Sequence, residues 1–406
     1  MKRLLSPGRS ISNYVIALIA LASGTGYGLV GSEATSRELD LLACSSAVVV
    51  PDRGVSEDLP AADFTVSVNA VPLAWQIGGV NNPPLTMSRG VSYTIDLSAV
   101  ISAHPFVINS NAANAGGTVY AGPASATTIF FTPDFVMPST IYYHCMVHFT
   151  SMVGTITLVT PPIQLSIKAF LEGAYNTGSL DMNDDLRSAG LVPPTEPYTD
   201  LGYEYASGGG ETVSPAVLSI VGNNAVVDWV LVELREMSDP TVVLQSRAGL
   251  IQADGDVVAP SGGTPMLFTL AGGEYYVALR HRSHLGIMTQ NPVTLSSVAT
   301  PIDFTLLSTS TFGTAARKTI GTVQALWMGD SNFDGILSYT GLGNDRDPIL
   351  LSVGSTTPNN TANGYLATDL NMNGTAGYTG GMNDRDPILV NVGSTTPNNT
   401  RTQQLP

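Results

Sequence analysis

Short strand-like segments separated by turn residues constrain the fold of this chain more than any other feature. Between residues 63 and 160 they are FTVSVNAV, VSYTIDL, HPFVINS, TTIFFTP, TIYYHC and VGTITLV. Clusters of Gly, Pro, Asn and Ser stand between them. Long helical periodicity is missing from the sequence. This regular spacing predicts a β-sandwich or a β-barrel for residues 63–160.

The composition also favours a folded, mainly β chain. Hydrophobic residues make up 43% and charged residues 12%, with 41 Gly and 26 Pro. A length of 406 residues leaves room for two or three domains, each with its own core. The net charge of −15, with no basic patch, predicts that nucleic acid is not a partner because phosphate would be repelled.

The N-terminus has the pattern of an export signal. Lys2, Arg3 and Arg9 precede the apolar run YVIALIALA, and small residues follow it, which predicts a signal peptide over residues 1–22. An uncleaved signal retained as a membrane anchor is the alternative. Residues 23–62 are predicted to be a leader or linker. The protein is therefore expected to be secreted, periplasmic or on the cell surface.

Two further boundaries divide the rest of the chain. The Thr-Pro-Pro sequence at residues 160–162 cannot extend a strand ladder and predicts a linker. Residues 163–320 form a second β-rich, sandwich-like domain whose strands include VVDWVLVELRE and EYYVALRHR. This domain contains no nucleophile with a matching base and no phosphate loop, so the sequence assigns it no role. A third region covers residues 327–400.

The stretch YYHCMVHFTSMVGTI carries the chemistry of the first domain. It places His144, Cys145, His148 and Met152 within nine residues. Two His and one Cys with a weak axial Met are the ligands of a blue-copper site, since thiolate and imidazole suit both copper oxidation states. One His of such a site comes from a distant strand, here His104 in SAHPFVIN. The predicted copper ligands are His104, Cys145 and His148, with Met152 axial.

Residues 63–160 resemble the plastocyanin-like cupredoxin family, in which a Cys, a following His and a Met close the copper loop. The resemblance implies a Greek-key β-sandwich, one type 1 copper and one-electron transfer with a redox protein partner. Three residues separate His148 from Met152, a spacing that differs by one from plastocyanin and amicyanin.

His144 supports a competing interpretation. In copper nitrite reductases and multicopper oxidases, a His beside the copper Cys ligates a second copper centre. His281 and His284 would be the remaining imidazoles of such a centre, and the protein would then be an enzyme. No paired His-x-His elements exist for a trinuclear cluster, which favours an electron carrier. In that case we expect His144 to face solvent and His281 and His284 to be polar residues at a strand end.

Cys44 and Cys145 are the two cysteines of the chain. In an oxidising compartment, their simplest interpretation is a disulfide. Cys44 falls in the predicted leader, whereas Cys145 ends a strand-like segment. This contrast favours a metal-ligand role for Cys145.

An internal repeat with a period of 39 residues and no gap occupies the C-terminal region. Each copy places Asp or Asn at three alternate positions, followed by Gly, as in the first half of an EF-hand loop. The sequence leaves open which of two later Asp residues closes each loop. The predicted ligands of two calcium ions are Asp330, Asn332, Asp334, the Ile336 carbonyl, Asp345 and Asp347 in the first loop, and Asp369, Asn371, Asn373, the Thr375 carbonyl, Asp384 and Asp386 in the second.

This block resembles dockerin-type calcium repeats with a longer loop. The resemblance implies either docking to a cell-surface or secreted partner or bracing of the C-terminus. Asn373 replaces the acidic Asp334 of the first copy, so we expect the second loop to bind calcium more weakly.

The sequence as a whole predicts an exported blue-copper protein that transfers one electron, an electron carrier more than a catalyst, with a calcium-binding tail. A structural or adhesive surface protein that uses the sandwich only as a scaffold is the alternative. A copper oxidase or nitrite-reductase-like enzyme is the third hypothesis.

Overall fold

The computed structural model describes residues 62–406 except residues 101, 113–115, 123–126 and 264. The predicted signal peptide, nearly all of the predicted leader and Cys44 lie outside the described residues. The described chain is rich in strands and has only short helices, which confirms the predicted mainly β fold class.

Ten strands form a sandwich of two sheets. They are β1 Phe64–Ala70, β2 Leu73–Ile77, β3 Val80–Asn81, β4 Leu85–Ser88, β5 Tyr93–Ala99, β6 Phe106–Asn109, β7 Val119–Ala121, β8 Thr128–Phe131, β9 Thr140–Cys145 and β10 Val153–Val159. One sheet has the order β3-β2-β1-β5-β8 and the other β4-β10-β9-β6-β7. The pairs β1–β5 and β4–β10 are parallel, so strands distant in sequence are neighbours in both sheets, as in Greek-key connectivity.

Side-chain alternation decides which residues of the sandwich face its core. In β10, Ile156 and Leu158 are buried while Thr155 and Thr157 are exposed, as a period of two requires. The same alternation in β9 directs Tyr143 and Cys145 into the core between the sheets. The end of β9 therefore brings a thiol into an apolar interior.

The middle region is built around one nine-stranded sheet. Its elements are β11 Ile163–Lys168, β12 Tyr175–Asn176, β13 Asp181–Met182, α1 Asp185–Ser188, α2 Pro215–Leu218, β14 Val226–Glu236, β15 Val243–Gln252, β16 Asp256–Val258, β17 Met266–Phe268, β18 Gly273–His281, β19 His284–Met288, β20 Val293–Leu295, β21 Thr300–Asp303, β22 Arg317–Ile320 and β23 Val323–Leu326. Within the nine-stranded sheet, the strand order is β17-β11-β16-β15-β14-β18-β19, with β20 beside β18 and β21 beside β11. All residues of β14 but the last are buried, so both faces of this central strand are covered.

The C-terminal repeats pair with each other. Their elements are β24 Ile336–Ser338, α3 Arg346–Ser352, β25 Thr361–Asn363, β26 Thr375–Gly377, α4 Arg385–Val392 and β27 Thr400–Thr402. The strand in the loop of each repeat pairs with the strand that follows the helix of the other, β24 with β27 and β26 with β25. The two pairings have the same register, shifted by 39 residues, so the repeats form one pseudo-symmetric unit.

The two repeats share a small hydrophobic core. It contains Leu337, Ile349, Leu370 and Ile388, together with Leu285 from β19 of the middle region. No helix in the described part of the chain is long and apolar enough to cross a membrane.

Candidate metal centres

Strands β6 and β9 bring Cys145 next to the segment that carries His104. Cys145 is the last residue of β9 and pairs with Phe106, the first residue of β6. The N–H of Met146 donates to the Pro105 carbonyl at 3.0 Å. This hydrogen bond holds the loop that follows β9 beside His104.

Backbone hydrogen bonds fold the residues after Cys145 into a tight turn. The N–H groups of Ser151 and Met152 both donate to the His148 carbonyl, at 3.2 Å and 2.8 Å. The N–H of Cys145 donates to the Met152 carbonyl at 2.9 Å. These bonds return the chain to β10 and hold His148 over Cys145.

Three donor atoms converge at this end of the sandwich. Nδ1 of His104 lies 3.1 Å from Nδ1 of His148. Sγ of Cys145 lies 3.8 Å from the first nitrogen and 3.7 Å from the second. Within residues 62–406, apart from the undescribed gaps, this is the one group of three His, Cys, Asp or Glu residues whose ligand atoms all lie within 4.8 Å of one another.

These separations fit a single metal ion shared by the three side chains. Bonds of about 2.0–2.1 Å from an ion to each nitrogen and about 2.3 Å to the sulfur, the values for Zn²⁺, are compatible with donor atoms this far apart. The donor set of two imidazoles and one thiolate is the one that a blue-copper site uses.

The side chains that carry the three donor atoms are mostly buried. Cys145 and Met152 have no exposed surface, and His104 is 9% exposed, while His148 is partly exposed. Burial lowers the pKa of His104, and the nearby His148 lowers it further, so its ring is held neutral as a metal ligand must be. The N–H of Val147 points at Sγ of Cys145 at 3.4 Å.

Aromatic rings support the His104 side of the group. The Trp75 ring meets the His104 ring edge-on, with centroids 6.5 Å apart, and meets Phe106 at 5.2 Å. Phe106 in turn stacks on Tyr143 at 5.8 Å. These rings fill the core beneath the donors and restrict the orientation of His104.

His144 does not face solvent, and that expectation is wrong. The side chain has no exposed surface, and its strand partners are Val107 on β6 and Val153 on β10. Alternation places it on the face of the sheet opposite Cys145, where the two valines flank it. Its Nδ1 lies 3.3 Å from the Cys145 carbonyl, and its Nε2 has no hydrogen-bond partner among the described residues.

His281 and His284 lie at the end of β18 and the start of β19, but both are buried. His284 Nε2 accepts the Gly173 N–H at 3.1 Å, so its proton is on Nδ1, which lies 2.9 Å from His281 Nδ1. His281 then carries its proton on Nε2, 3.2 Å from the Asp228 carboxylate. The pair completes a hydrogen-bond chain in the middle region, and the group of His104, Cys145 and His148 does not include it.

The two C-terminal loops have the same backbone arrangement. The first Asp of each loop accepts two backbone N–H groups. Asp330 accepts from Asp334 at 3.1 Å and Gly335 at 2.9 Å, and Asp369 accepts from Asn373 at 3.1 Å and Gly374 at 2.7 Å. Gly335 and Gly374 have φ of 79° and 86°, a conformation that favours glycine and gives the sharp turn.

The two later Asp residues of each loop have different surroundings. Asp345 accepts the N–H groups of Ser331 and Ser338, and Asp384 closes the second loop in the same way through Leu370 and Gly377. The structure therefore brings Asp345 and Asp384 to the loops. It does not bring Asp347 and Asp386 there, because their side chains are 63% and 54% exposed and pair with Arg346 and Arg385.

Carboxylates of each loop influence one another. Burial raises the pKa of Asp345 to about 8, and the charges of Asp330 and Asp334 raise it as well. Burial likewise raises the pKa of Asp330 to about 7 and of Asp384 to about 7. Buried acids that oppose each other in this way fit a bound cation, since a cation would stabilise their charged forms.

The sequence argument did not single out the residues that join these loops to the middle region. They are Arg280 and Arg282 in and after β18, Phe333 and Met372 in the repeats, and Tyr365 between the repeats. The available signal was the pair of basic residues on either side of His281, directly after the apolar residues 277–279, because a buried Arg needs a specific partner.

Residues 64–159 thus form a two-sheet β-sandwich with a His-Cys-His group at one end. No family model and no curated protein matches the chain. Among solved structures, it is similar to a rusticyanin variant, with 17% identity, 23% of this chain and 75% of that chain covered, and a TM-score of 0.16.

Two multicopper oxidases are also similar. One is McoA from the hyperthermophile Aquifex aeolicus, at 16% identity, with 27% of this chain and 32% of that chain covered and a TM-score of 0.16. The other is Fet3p, a multicopper oxidase that functions in iron import, at 12% identity, with 53% and 47% covered and a TM-score of 0.17. Because these TM-scores are low, the fold assignment rests on the strand order and register described above.

Proposed function

We propose that the sandwich binds one type 1 copper ion through His104, Cys145 and His148, with Met152 axial, and that the protein transfers single electrons. The observation that carries this proposal is the mutual spacing of the three donor atoms at 3.1, 3.7 and 3.8 Å. Copper would supply a one-electron couple between its two oxidation states.

The residues of the chain have distinct parts in this function. The hydrogen bonds of the turn hold Cys145 and His148 in place, so the ligands need not rearrange when an electron arrives or leaves. The Val147 N–H contacts the sulfur and would stabilise its negative charge. Trp75, Phe106 and Met152 exclude water from the buried side.

The electron would enter or leave through His148. Its ring is partly exposed, whereas His104, Cys145 and Met152 are buried. Val147 and Phe149 on either side are 60% and 37% exposed. A redox protein partner would therefore contact this edge, and the predicted signal peptide would deliver the protein to a secreted, periplasmic or cell-surface location.

The C-terminal loops would bind two calcium ions and attach or brace the protein. Support comes from the carboxylate and amide oxygens at alternate positions, the sharp glycine turns, and the buried Asp345 and Asp384 that close the loops. The second loop would bind more weakly because Asn373 lacks the charge of Asp334. A surface or secreted partner of the repeats is part of the same proposal.

Copper stoichiometry tests the first site. We expect the full chain, dialysed against Cu(II) and analysed by mass spectrometry of metals, to retain one copper. Cys145→Ser and His148→Gln should lose it, while His144→Gln should keep it. Equal copper in the wild type and Cys145→Ser would contradict the assignment, and two or more tightly held coppers would favour an oxidase.

Calorimetric titration with CaCl2 tests the two proposed calcium sites in the C-terminal loops. We expect two binding events of unequal affinity. Asp330→Asn should weaken the tighter event and Asp369→Asn the weaker one, whereas Asp347→Asn, at an exposed carboxylate, should change neither. A titration without binding heat would contradict the calcium proposal.

A further inference from the structure

Each C-terminal loop inserts one side chain into the middle region. Phe333 and Met372 are equivalent residues, 39 positions apart, and both have positive φ, 59° and 60°. Met372 is 2% exposed and belongs to the core of the middle region, and Phe333 packs against that core with its ring 5.9 Å from the Tyr198 ring. We call this pair the apex residues.

The position of the apex residues within the loops links them to the proposed cation ligands. Phe333 lies between Asn332 and Asp334, and Met372 lies between Asn371 and Asn373. Non-glycine residues rarely adopt positive φ, so the neighbouring contacts must hold this conformation. If the residues before and after an apex residue bind the same cation through their oxygen atoms, φ and ψ of the apex residue are fixed. The direction of its side chain is then fixed as well.

Two arginines of the middle region face the same loops. The Arg280 guanidinium lies 4.8 Å from the Phe333 ring centroid, and its charge acts on Asp330. Arg282 is buried, donates to the Leu366 carbonyl, and its charge acts on Asp369. Both loops therefore face a basic side chain of the middle region, whose own ion-pair partners are Glu233 for Arg280 and Asp228 for Arg282.

The backbones of the two regions also approach closely. A Cβ placed on Gly173 would lie 2.0 Å from the Leu370 carbonyl oxygen. Beside it, Glu172 accepts the Met328 N–H at 3.1 Å and the Asn391 amide at 2.8 Å. This face of the repeats is therefore covered by the same chain.

We propose that the docking partner of the two C-terminal repeats is the middle region of their own chain, and that calcium in the loops controls this docking through Phe333 and Met372. The inference rests on the proposed calcium binding, and it assigns the repeats to bracing their own chain rather than to attachment to a surface or secreted partner. When calcium is removed, no ion holds the oxygen atoms on the two sides of each apex residue together. The apex residues then lose their fixed direction, and the packing of β14 and β18 loosens.

Hydrogen exchange of the full chain, followed by mass spectrometry in CaCl2 and in EGTA, tests this coupling. We expect EGTA to raise exchange severalfold in the two loops and also in β14 and β18, which contain no proposed ligand. Met372→Ala should still bind calcium by calorimetry but lose much of the calcium-dependent protection of β14 and β18.

Met382→Ala is the matched control, since Met382 lies in the same repeat, also has positive φ, and is 77% exposed. It should behave as the wild type does. Met372→Leu, which keeps the apolar volume, should restore the coupling and provides a second variant if the alanine form does not fold.

The outcomes separate this inference from the calcium proposal. If calcium binds but protects only the loops, the inference is overturned while the calcium proposal stands. If calorimetry detects no calcium binding, both fail together. If Met382→Ala loses the coupling as Met372→Ala does, the apex residues are not the connection and the inference is overturned.

Discussion

At the scale of single residues, the copper proposal depends on nitrogen lone pairs that face each other. The Nδ1 atoms of two histidines lie 3.1 Å apart beside a thiol sulfur. Neutral imidazoles oriented in this way can share one proton in an Nδ1–H···Nδ1 hydrogen bond, and a bound ion would take the place of that proton. Backbone hydrogen bonds around Cys145 and His148 maintain the arrangement, so the fold already places the donor atoms for a metal ion.

Replacement of Met152 tests the axial position. We expect Met152→Leu to keep copper and its visible absorption but to raise the reduction potential, because loss of a thioether donor destabilises Cu(II) more than Cu(I). The volume is nearly conserved, so the stability cost should stay below about 1.5 kcal/mol. Voltammetry of the copper-loaded protein measures the potential.

Met87→Leu is the control for this experiment. Met87 is also fully buried in the core of the sandwich, on β4. We expect its replacement to leave the potential unchanged. A Met152→Leu potential equal to that of the wild type would remove Met152 from the ligand set.

At the scale of elements, the hairpin of β9 and β10 depends on one glycine. A Cβ on Gly154 would lie 2.2 Å from the Tyr143 hydroxyl oxygen, which donates to the Pro83 carbonyl at 2.6 Å. We expect Gly154→Ala to destabilise the sandwich by about 1–3 kcal/mol, as other forced overpacking does. Urea unfolding measures this, and Thr155→Ala, at the exposed next position, should change stability by no more than about 0.5 kcal/mol.

The contact between β18 and β19 predicts a pH dependence. Burial lowers the pKa of His284 well below 6.5, and the charges of His281 and Arg282 lower it further. The unfolded chain then binds more protons below about pH 6.5, so the free energy of unfolding falls as pH decreases through this range and is fully retained above it. We expect a loss of up to about 1.4 kcal/mol per pH unit from this one group.

His284→Gln isolates this effect, because its side-chain oxygen can still accept the Gly173 N–H. Denaturant unfolding in excess CaCl2, from about pH 7 to about pH 5, should show a steeper loss for the wild type than for the variant. Parallel curves for the two proteins would show that His284 does not titrate on unfolding in this range.

The strength of local patterning decided which elements the sequence could predict. Strand-like segments bounded by turn residues, such as those of β1, β9 and β10, match the predicted strands closely. LAWQI and LTMS became β2 and β4 without being predicted, because short strands carry too few positions to show a period. The burial of β14 on both faces depends on distant parts of the chain, which local patterns do not contain.

The candidate sites show the same limit. The spacing of Cys145 and His148 was visible in the sequence because one loop carries both residues. The burial of His144 was not, since it depends on Val107 and Val153 in neighbouring strands. Likewise, two late Asp residues in each repeat could not be distinguished until the backbone N–H groups that bind Asp345 and Asp384 were known.

At the scale of the whole molecule, a buried charge joins the middle region to the repeats. Burial alone would raise the pKa of Asp228, but Arg282, His281 and Tyr365 together hold it at about 2. Tyr365 comes from the segment between the two repeats and donates to Asp228 at 2.5 Å. The repeats therefore satisfy a carboxylate that lies in the central strand of the middle sheet.

Tyr365→Phe should weaken this junction. Removal of the hydroxyl leaves Oδ1 of the buried Asp228 carboxylate with the Trp229 N–H as its remaining donor, and we expect a loss of about 1–3 kcal/mol in the free energy of unfolding. Tyr378→Phe, in the small core of the repeats, should cost no more than about 0.5 kcal/mol. Equal costs for the two variants in urea unfolding would show that the Asp228 contact adds nothing to stability.

The visible absorption spectrum of the full chain with Cu(II) tests the central claim most directly. We predict an intense thiolate-to-copper band that ascorbate bleaches, that ferricyanide restores, and that is missing from Cys145→Ser. A colourless wild-type protein, or a band that survives in Cys145→Ser, would contradict the assignment of His104, Cys145 and His148 as a redox-active copper site.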